Sequence, residues 1–253
     1  MITNGLTRKN MEFAGRILRP PSAGLKLERL QDVFPMDPTL IEPLGDRAFL
    51  AHFADERQAR GWAAAVRARR WQGIQDVVLA YRSVAVFAEP EQVDLVELES
   101  RLGAIESSGE SHVPGRSLVI PVLYDGADLH VVAARLALSS ADVVALHSSI
   151  EYDVFAVGFL PGFPYAGYLP PPLAGLPRRD SPRLNVPAGS VAIAGRQTAI
   201  YPRKSPGGWH LLGTTPLCIA DAEAGYFPIV AGDRIRFKPI SAAEFESRRD
   251  ECL

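Results

Sequence analysis

The sequence predicts an α+β fold, a small α/β unit followed by a mainly β barrel. Three observations predict it. Between about Leu40 and Ile105 the apolar residues alternate between strand and helix periods. The second half is then filled by short apolar runs separated by glycine and proline. The 253 residues, 47% apolar and 22% charged, suffice to bury two modest cores.

Residues 1–35 show no sustained period and contain Arg19-Pro20-Pro21-Ser22, so they are expected to be an unstructured extension ahead of Met36. The first unit is placed at 36–115. In it Ala48 to Phe53 predicts a strand, and Ala59, Trp62, Ala63 and Val66 fall at i, i+3, i+4, i+7 of a helix. Val77 to Tyr81 and Val84 to Phe87 predict two strands with Arg82 and Ser83 at the corner, and Leu95, Leu98, Leu102 and Ile105 mark a second helix. With the run Leu118 to Leu123 this makes β-α-β-β-α-β, the split-βαβ order of a ferredoxin-like unit, unless that last strand joins the next unit. The polar, aperiodic stretch 106–117 is the expected linker.

The second unit is placed at 116–243, with a tail at 244–253. Leu129, Val132, Ala133 and Leu136 predict one helix, and Ser139-Ser-Ala-Asp142 a capped second one ending near His147. Tyr152 to Val157, Ser190 to Ala194, Thr198 to Tyr201, Trp209 to Leu212 and Arg234 to Lys238 then predict short strands joined without helices, as in a closed or nearly closed barrel.

A net charge of −2 gives no basic field and argues against nucleic acid as a partner. No run of about 18 apolar residues and no signal-type start occurs, so a soluble cytoplasmic protein with no membrane partner is expected. Cys218 and Cys252 offer no disulfide framework, and no motif supports a metal. No P-loop pattern is present.

The run from Gly158 to Pro216 carries the candidate chemistry. Glycine permits close backbone approach and proline fixes φ, so such loops hold one shape. Arg178, Arg179 and Arg183, with Arg196 and Arg203 beyond, suit a carboxylate or phosphate clamp, the plain alternative being a solvated loop face. Ser205-Pro206-Gly207-Gly208-Trp209-His210 places a hydroxyl, two glycine amides and an imidazole together, an anion nest with Ser205 and His210 as catalytic candidates. Without context, His210 is more often a satisfied structural histidine than a catalytic one. Gln197 and Tyr201 share a strand face and supply an amide and a phenol to a polar ligand if that face lines a cavity. Phe159, Phe163, Tyr165 and Tyr168 pack or wall a pocket. His147, near a helix C-terminus, is expected to be favoured there by the dipole.

Read in order, P-L-G-D-R-A at 43–48, A-Y-R-S at 80–83, H-S-S-I-E-Y at 147–152, G-F-L-P-G-F-P-Y at 158–165, P-R-R at 177–179, V-P-A-G-S-V at 186–191 and S-P-G-G-W-H-L-L-G at 205–213 resemble the allophanate hydrolase subunit 1, or carboxyltransferase-like, family. That family includes a subunit of bacterial 5-oxoprolinase and a sporulation-kinase inhibitor. The resemblance covers roughly Leu44 to Pro239 and implies a small α/β domain followed by a cyclophilin-like β-barrel. It implies a subunit of an ATP-dependent 5-oxoprolinase that converts 5-oxo-L-proline to L-glutamate, inactive alone, with ATP bound by the complex rather than by this chain. The implied partners are a homologous second barrel subunit and a third subunit. On this reading Arg178, Arg179 and Arg183 grip the substrate, while Gln197, Tyr201, Ser205, Gly207, Gly208 and His210 line the cavity. Members differ in activity, so a carboxyltransferase-type subunit of a urea amidolyase-like enzyme and an inhibitor of a histidine kinase are the alternatives. The chain departs from the family pattern at Thr214, where a basic residue is usual, at Ala166-Gly167, and in its 35-residue head.

Overall fold

The structure is a computed structural model and describes Pro38, residues 40–105 and residues 115–253. The expected N-terminal extension and most of the linker, His112 included, lie outside the described residues.

The first unit contains strands β1 (Leu40–Pro43) and β2 (Ala48–His52), helix α1 (Glu56–Arg69), strands β3 (Ile74–Ala80) and β4 (Ser83–Ala88), and helix α2 (Leu95–Gly103). Its four strands form an antiparallel sheet in the order β1-β2-β4-β3. Val84, Val86 and Ala88 of β4 and Val77 and Leu79 of β3 alternate into the core, meeting Ala59, Trp62, Ala63 and Val66 of α1 and Leu98 and Leu102 of α2. Asp55 starts α1 by accepting from Arg57 and Gln58 N–H, and Asp94 starts α2 in the same way. The β3–β4 corner falls on Tyr81 and Arg82, one residue earlier than the pattern predicts, with Tyr81 at φ 55°.

The second unit opens with β5 (Ser117–Val122), helices α3 (Leu129–Arg135) and α4 (Ser140–Ser148), and strands β6 (Glu151–Val157) and β7 (Pro164–Gly167). Strands β8 (Arg183–Val186), β9 (Ser190–Ala194), β10 (Gln197–Ile200), β11 (Ser205–Gly207), β12 (His210–Thr214) and β13 (Arg234–Pro239) follow, then helix α5 (Ala242–Ser247). Strand β5 leaves the first sheet and pairs in parallel with β13, so the ferredoxin-like strand order is not reproduced and β1 holds the edge instead. Seven strands run β12-β9-β10-β7-β6-β13-β5. Leu123, just past β5, exchanges both backbone hydrogen bonds with Thr214 at the end of β12, at 2.9 and 2.8 Å. This bridge brings the two edges together into a nearly closed barrel.

Inward side chains such as Ile120, Val122, Tyr152, Val154, Val191, Ile193, Ile200, Ile235 and Phe237 fill the barrel, with Leu129, Val132, Ala133 and Val143 from α3 and α4. The outward face of β9, β10 and β12 carries a second cluster, Phe163, Ala192, Ala194, Ala199, Tyr201, Trp209 and Leu211, roofed by Val186 of the two-stranded β8–β11 ribbon. The predicted cap of α4 is present: Ser139 Oγ accepts from Asp142 N–H, and Asp142 returns a bond to the Ser139 N–H. Among the described residues no single helix is long and apolar enough to cross a membrane.

Candidate functional site

A cleft opens where the first unit meets the outward face of the barrel. The β3–β4 corner is tied to β6 by the Tyr81 N–H, which donates to the Phe155 carbonyl at 3.1 Å. Tyr81 is in the left-handed region that residues with a bulky side chain rarely enter. Its ring stands beside Phe155, and its hydroxyl accepts from Gln197 Nε2 across the gap between the units. On one side of this contact lies a hollow of about 220 Å³ lined by Glu56, Arg57, Arg60, Asp153, Gly167 and Tyr168 among others. On the other lies a hollow of about 420 Å³ lined by Pro177, Arg178, Gly195, Arg196, Gln197 and Trp209. Tyr81 and Tyr168 line both.

Each wall has a local cause. The β9–β10 turn is Gly195-Arg196, with Gly195 at φ 60°, and it aims the Arg196 guanidinium over the Tyr168 ring at 4.0 Å. Tyr168 in turn donates to Glu56 Oε1 at 2.6 Å. That bond to a carboxylate raises the Tyr168 phenol, and burial raises that of Tyr81 against a smaller opposite pull from Gln197, so both rings remain hydrogen-bonding phenols near neutral pH. Arg178 makes no ion pair among the described residues. The cleft therefore offers two guanidinium groups, an amide, two phenols and an indole face, a set suited to a small planar anion.

The adjacent arginines behave differently. Arg179 Nη1 donates to Asp128 Oδ1 at 2.7 Å, and Arg183 holds both Asp128 oxygens at 2.7 and 2.8 Å. Asp128 is 1% exposed and also accepts from the Leu211 N–H at 2.8 Å. Burial alone would raise its carboxyl, but the Arg183 hydrogen bonds, the Leu211 N–H and the two guanidinium charges outweigh that and hold it below its ordinary range. Arg179 and Arg183, expected to grip a ligand, are thus both engaged by an internal carboxylate in this structure. They pin the loop that presents Arg178.

Ser205, Gly207, Gly208 and His210 are also placed otherwise than expected. Ser205 begins β11 opposite Val186, and its Oγ donates to the Pro206 carbonyl at 3.1 Å. His210 is 1% exposed, with Nε2 donating to the Pro177 carbonyl at 2.9 Å and Nδ1 without a partner among the described residues. The two side chains share no hydrogen bond, so no nucleophile and base are assembled. Gly207 lies in a strand and the Gly208 carbonyl accepts from the Arg179 N–H at 2.7 Å; neither glycine has the positive φ of a nest. A Cβ on Gly207 would collide with the Tyr201 ring, which explains the glycine. Tyr201, 1% exposed, lies beneath it inside the outward cluster, with its phenol raised chiefly by burial. Of the expected residues, Arg178 and Gln197 reach the cleft.

Phe163 and Tyr165 pack edge-on against Trp209, Tyr168 walls the cleft, and Phe159 stands 63% exposed. His147 is fully buried and held near pH 3 by desolvation, so it is neutral and the helix-dipole account does not apply. Its Nδ1 lies 2.7 Å from Tyr124 Oη and its Nε2 2.9 Å from Thr198 Oγ1. Thr214 sits at the barrel seam and Ala166 in the core; of the positions departing from the family pattern, Gly167 lines the cleft. A larger groove, about 670 Å³, runs between α3 and α4, but its lining is mainly apolar, with Asp125 and His130 at its rim and no arginine or lysine among the described residues. Sequence reasoning missed Tyr81 and Asp128. Tyr81 lies inside the A-Y-R-S motif, whereas nothing local marks Asp128.

Comparison with known proteins agrees with this architecture. The family model described as the carboxyltransferase domain, subdomain C and D, matches residues 39–227. Over 188 residues the chain is 44% identical to a 5-oxoprolinase subunit of Escherichia coli O157:H7, covering 72% of this chain and 85% of that protein. Over 235 residues it is 35% identical to the subunit of the same name in Bacillus subtilis strain 168, covering 83% and 97%. The crystal structure of TTHA0988 matches with a TM-score of 0.69 and 38% identity over 78% of this chain, which spans 40% of the length of that one. Kluyveromyces lactis urea carboxylase, at 18% identity and a TM-score of 0.63, covers 87% of this chain and has 23% of its own length matched; it shares the fold. With the family model matching most of its length, this chain belongs to the carboxyltransferase subdomain C and D family.

Proposed function

We propose that this chain is a cytoplasmic subunit of an ATP-dependent 5-oxoprolinase, which opens the lactam of 5-oxo-L-proline to give L-glutamate. The similarity to two proteins named as 5-oxoprolinase subunits, at 44% and 35% identity over most of both chains, supports the reading. The observation that carries it on the structural side is the cleft with Arg178, Arg196 and Gln197 on one wall and Tyr81 and Tyr168 on the other. The substrate is a small planar ring bearing a carboxylate, and the two guanidinium groups suit that charge. The lactam is an unactivated amide that resists water. Phosphorylation of its oxygen by ATP supplies a leaving group, and the charged intermediate must be held away from bulk water.

The cleft contains binding groups but no assembled nucleophile and base among the described residues. The chain is accordingly a binding wall that works beside a homologous barrel subunit and a third subunit, with ATP bound by the complex. The test is glutamate release from 5-oxo-L-proline and ATP, by this chain alone and by the mixture with its companion subunits. Glutamate from the mixture only is the expected result. No glutamate from a mixture shown to assemble would remove the reading, and carboxyl transfer, favoured by the family description, would take its place.

A further inference from the structure

The two cysteines are 34 residues apart in sequence yet directly opposed in space. The segment around Cys218 and the segment 250–253 run parallel. Cys218 N–H donates to the Glu251 carbonyl at 2.8 Å, Leu253 N–H to the Cys218 carbonyl at 3.3 Å, and Asp250 N–H to the Pro216 carbonyl at 3.1 Å. Bridge partners sit about 4.8 Å apart at Cα and point to the same side, inside the roughly 4.4–6.8 Å window that a disulfide requires. Both thiols are free, and that of Cys218 donates to the Ala220 carbonyl at 3.7 Å. Cys252 is exposed and Cys218 half-buried, so a dissolved oxidant meets Cys252 first and Cys218 stands behind it.

We propose that Cys218 and Cys252 are a site of reversible oxidation, at which a low-molecular-weight disulfide such as glutathione disulfide closes an intramolecular Cys218–Cys252 bond. The Cys252 thiolate attacks one sulfur of the oxidant and expels a glutathione thiolate. The Cys218 thiolate then displaces the second glutathione from Cys252. Two thiol protons pass to the two departing thiolates, the cysteines lose two electrons, and the oxidant is reduced to two thiols. The bond would fix the segment 250–253 onto Pro216–Cys218, where Tyr226 Oη already donates to the Leu253 carbonyl. The neighbouring Ala220 is the seat of Gly162, at φ 81°, where a Cβ would collide with it; the staple thus anchors the ground beneath the 158–163 loop. This inference is independent of the proposed reaction.

The test is peptide mapping of the full chain after incubation with glutathione disulfide, followed by reduction with dithiothreitol. The expected result is one Cys218–Cys252 cross-linked peptide in a monomer whose mass has fallen by two hydrogens, reversed by reduction. Tm should rise by roughly 5–10 °C in the oxidised form. Cys252→Ser and Cys252→Ala should retain the reduced-state Tm and lose the oxidative rise. Stable glutathione adducts without closure, disulfide-linked dimers, or two thiols still free under conditions that oxidise a reference dithiol would each overturn the proposal.

Discussion

On the inward face of β10, Thr198 Oγ1 lies 2.9 Å from His147 Nε2 and donates to the Ala192 carbonyl at 3.2 Å, while Tyr124 Oη closes on His147 Nδ1. On the outward face of the same strand Gln197 reaches Tyr81, and around it Arg196 lies over a ring and Arg178 makes no ion pair among the described residues. The inner cluster is complete: each donor meets an acceptor, the imidazole stacks on Phe237 at 4.5 Å, and no polar capacity remains for a ligand. The outer cluster keeps cationic and amide capacity that the described residues do not use. A finished polar network fixes a core, and an unfinished one at a cleft is where recognition takes place. Asp128 stands between the two kinds, a closed network whose product is the open presentation of Arg178.

The contrast can be broken most forcefully at Asp128. Asp128→Ala leaves two guanidinium groups and the Leu211 N–H without their acceptor, and is expected to cost about 3–5 kcal/mol in urea unfolding. A loss below about 1 kcal/mol would make the network dispensable. His147→Ala should cost about 2–4 kcal/mol by orphaning Tyr124 and Thr198 and leaving a cavity.

The two sites also separate by pH. His147 is depressed from 6.5 to about 3, so its contribution is present above pH 6.5 and is lost as pH falls toward 3, by up to about 1.4 kcal/mol per unit. Asp128 is depressed below 3.8, so its contribution is present above that value and is lost only at lower pH. Stability measured against pH should therefore fall in two stages, and His147→Phe should flatten the first of them. An unchanged first stage in that variant would assign it to another group.

At the open cluster, Arg178→Ala should lower activity of the assembled complex by roughly 10- to 100-fold while leaving Tm unchanged, since a charged hydrogen bond contributes about 1.5–3 kcal/mol. Arg179→Ala should do the reverse and act mainly on stability. The smallest expected effect is Tyr81→Phe, about 1 kcal/mol or less for the lost Gln197 bond, read in the binding of substrate more than in folding.

Much of the barrel is legible in the sequence because periodicity is local. The alternation at Val84 and Val86, the Ser139-x-x-Asp142 cap and the strand face shared by Gln197 and Tyr201 need nothing beyond neighbouring residues. Strand β7 is hidden because Pro164 and Gly167 read as loop, although proline is tolerated as the first residue of a strand. Strand β11 is hidden in the same way by Pro206 and Gly207. The arginine loop stands out as chemically special, but its division into one cleft-facing and two anchored side chains depends on Asp128, 51 and 55 positions away. His147 reads by its place in a helix, whereas its protonation is set by rings from β6 and β13.

The most direct measurement is glutamate formation from 5-oxo-L-proline and ATP by the complex assembled with either Arg178→Ala or Ser205→Ala in this chain. The account predicts that Arg178→Ala loses most of the activity and Ser205→Ala, removed from the cleft, keeps it. Retained activity in Arg178→Ala together with its loss in Ser205→Ala, both in folded and assembled complexes, would contradict the account and move the working site to the β11–β12 segment.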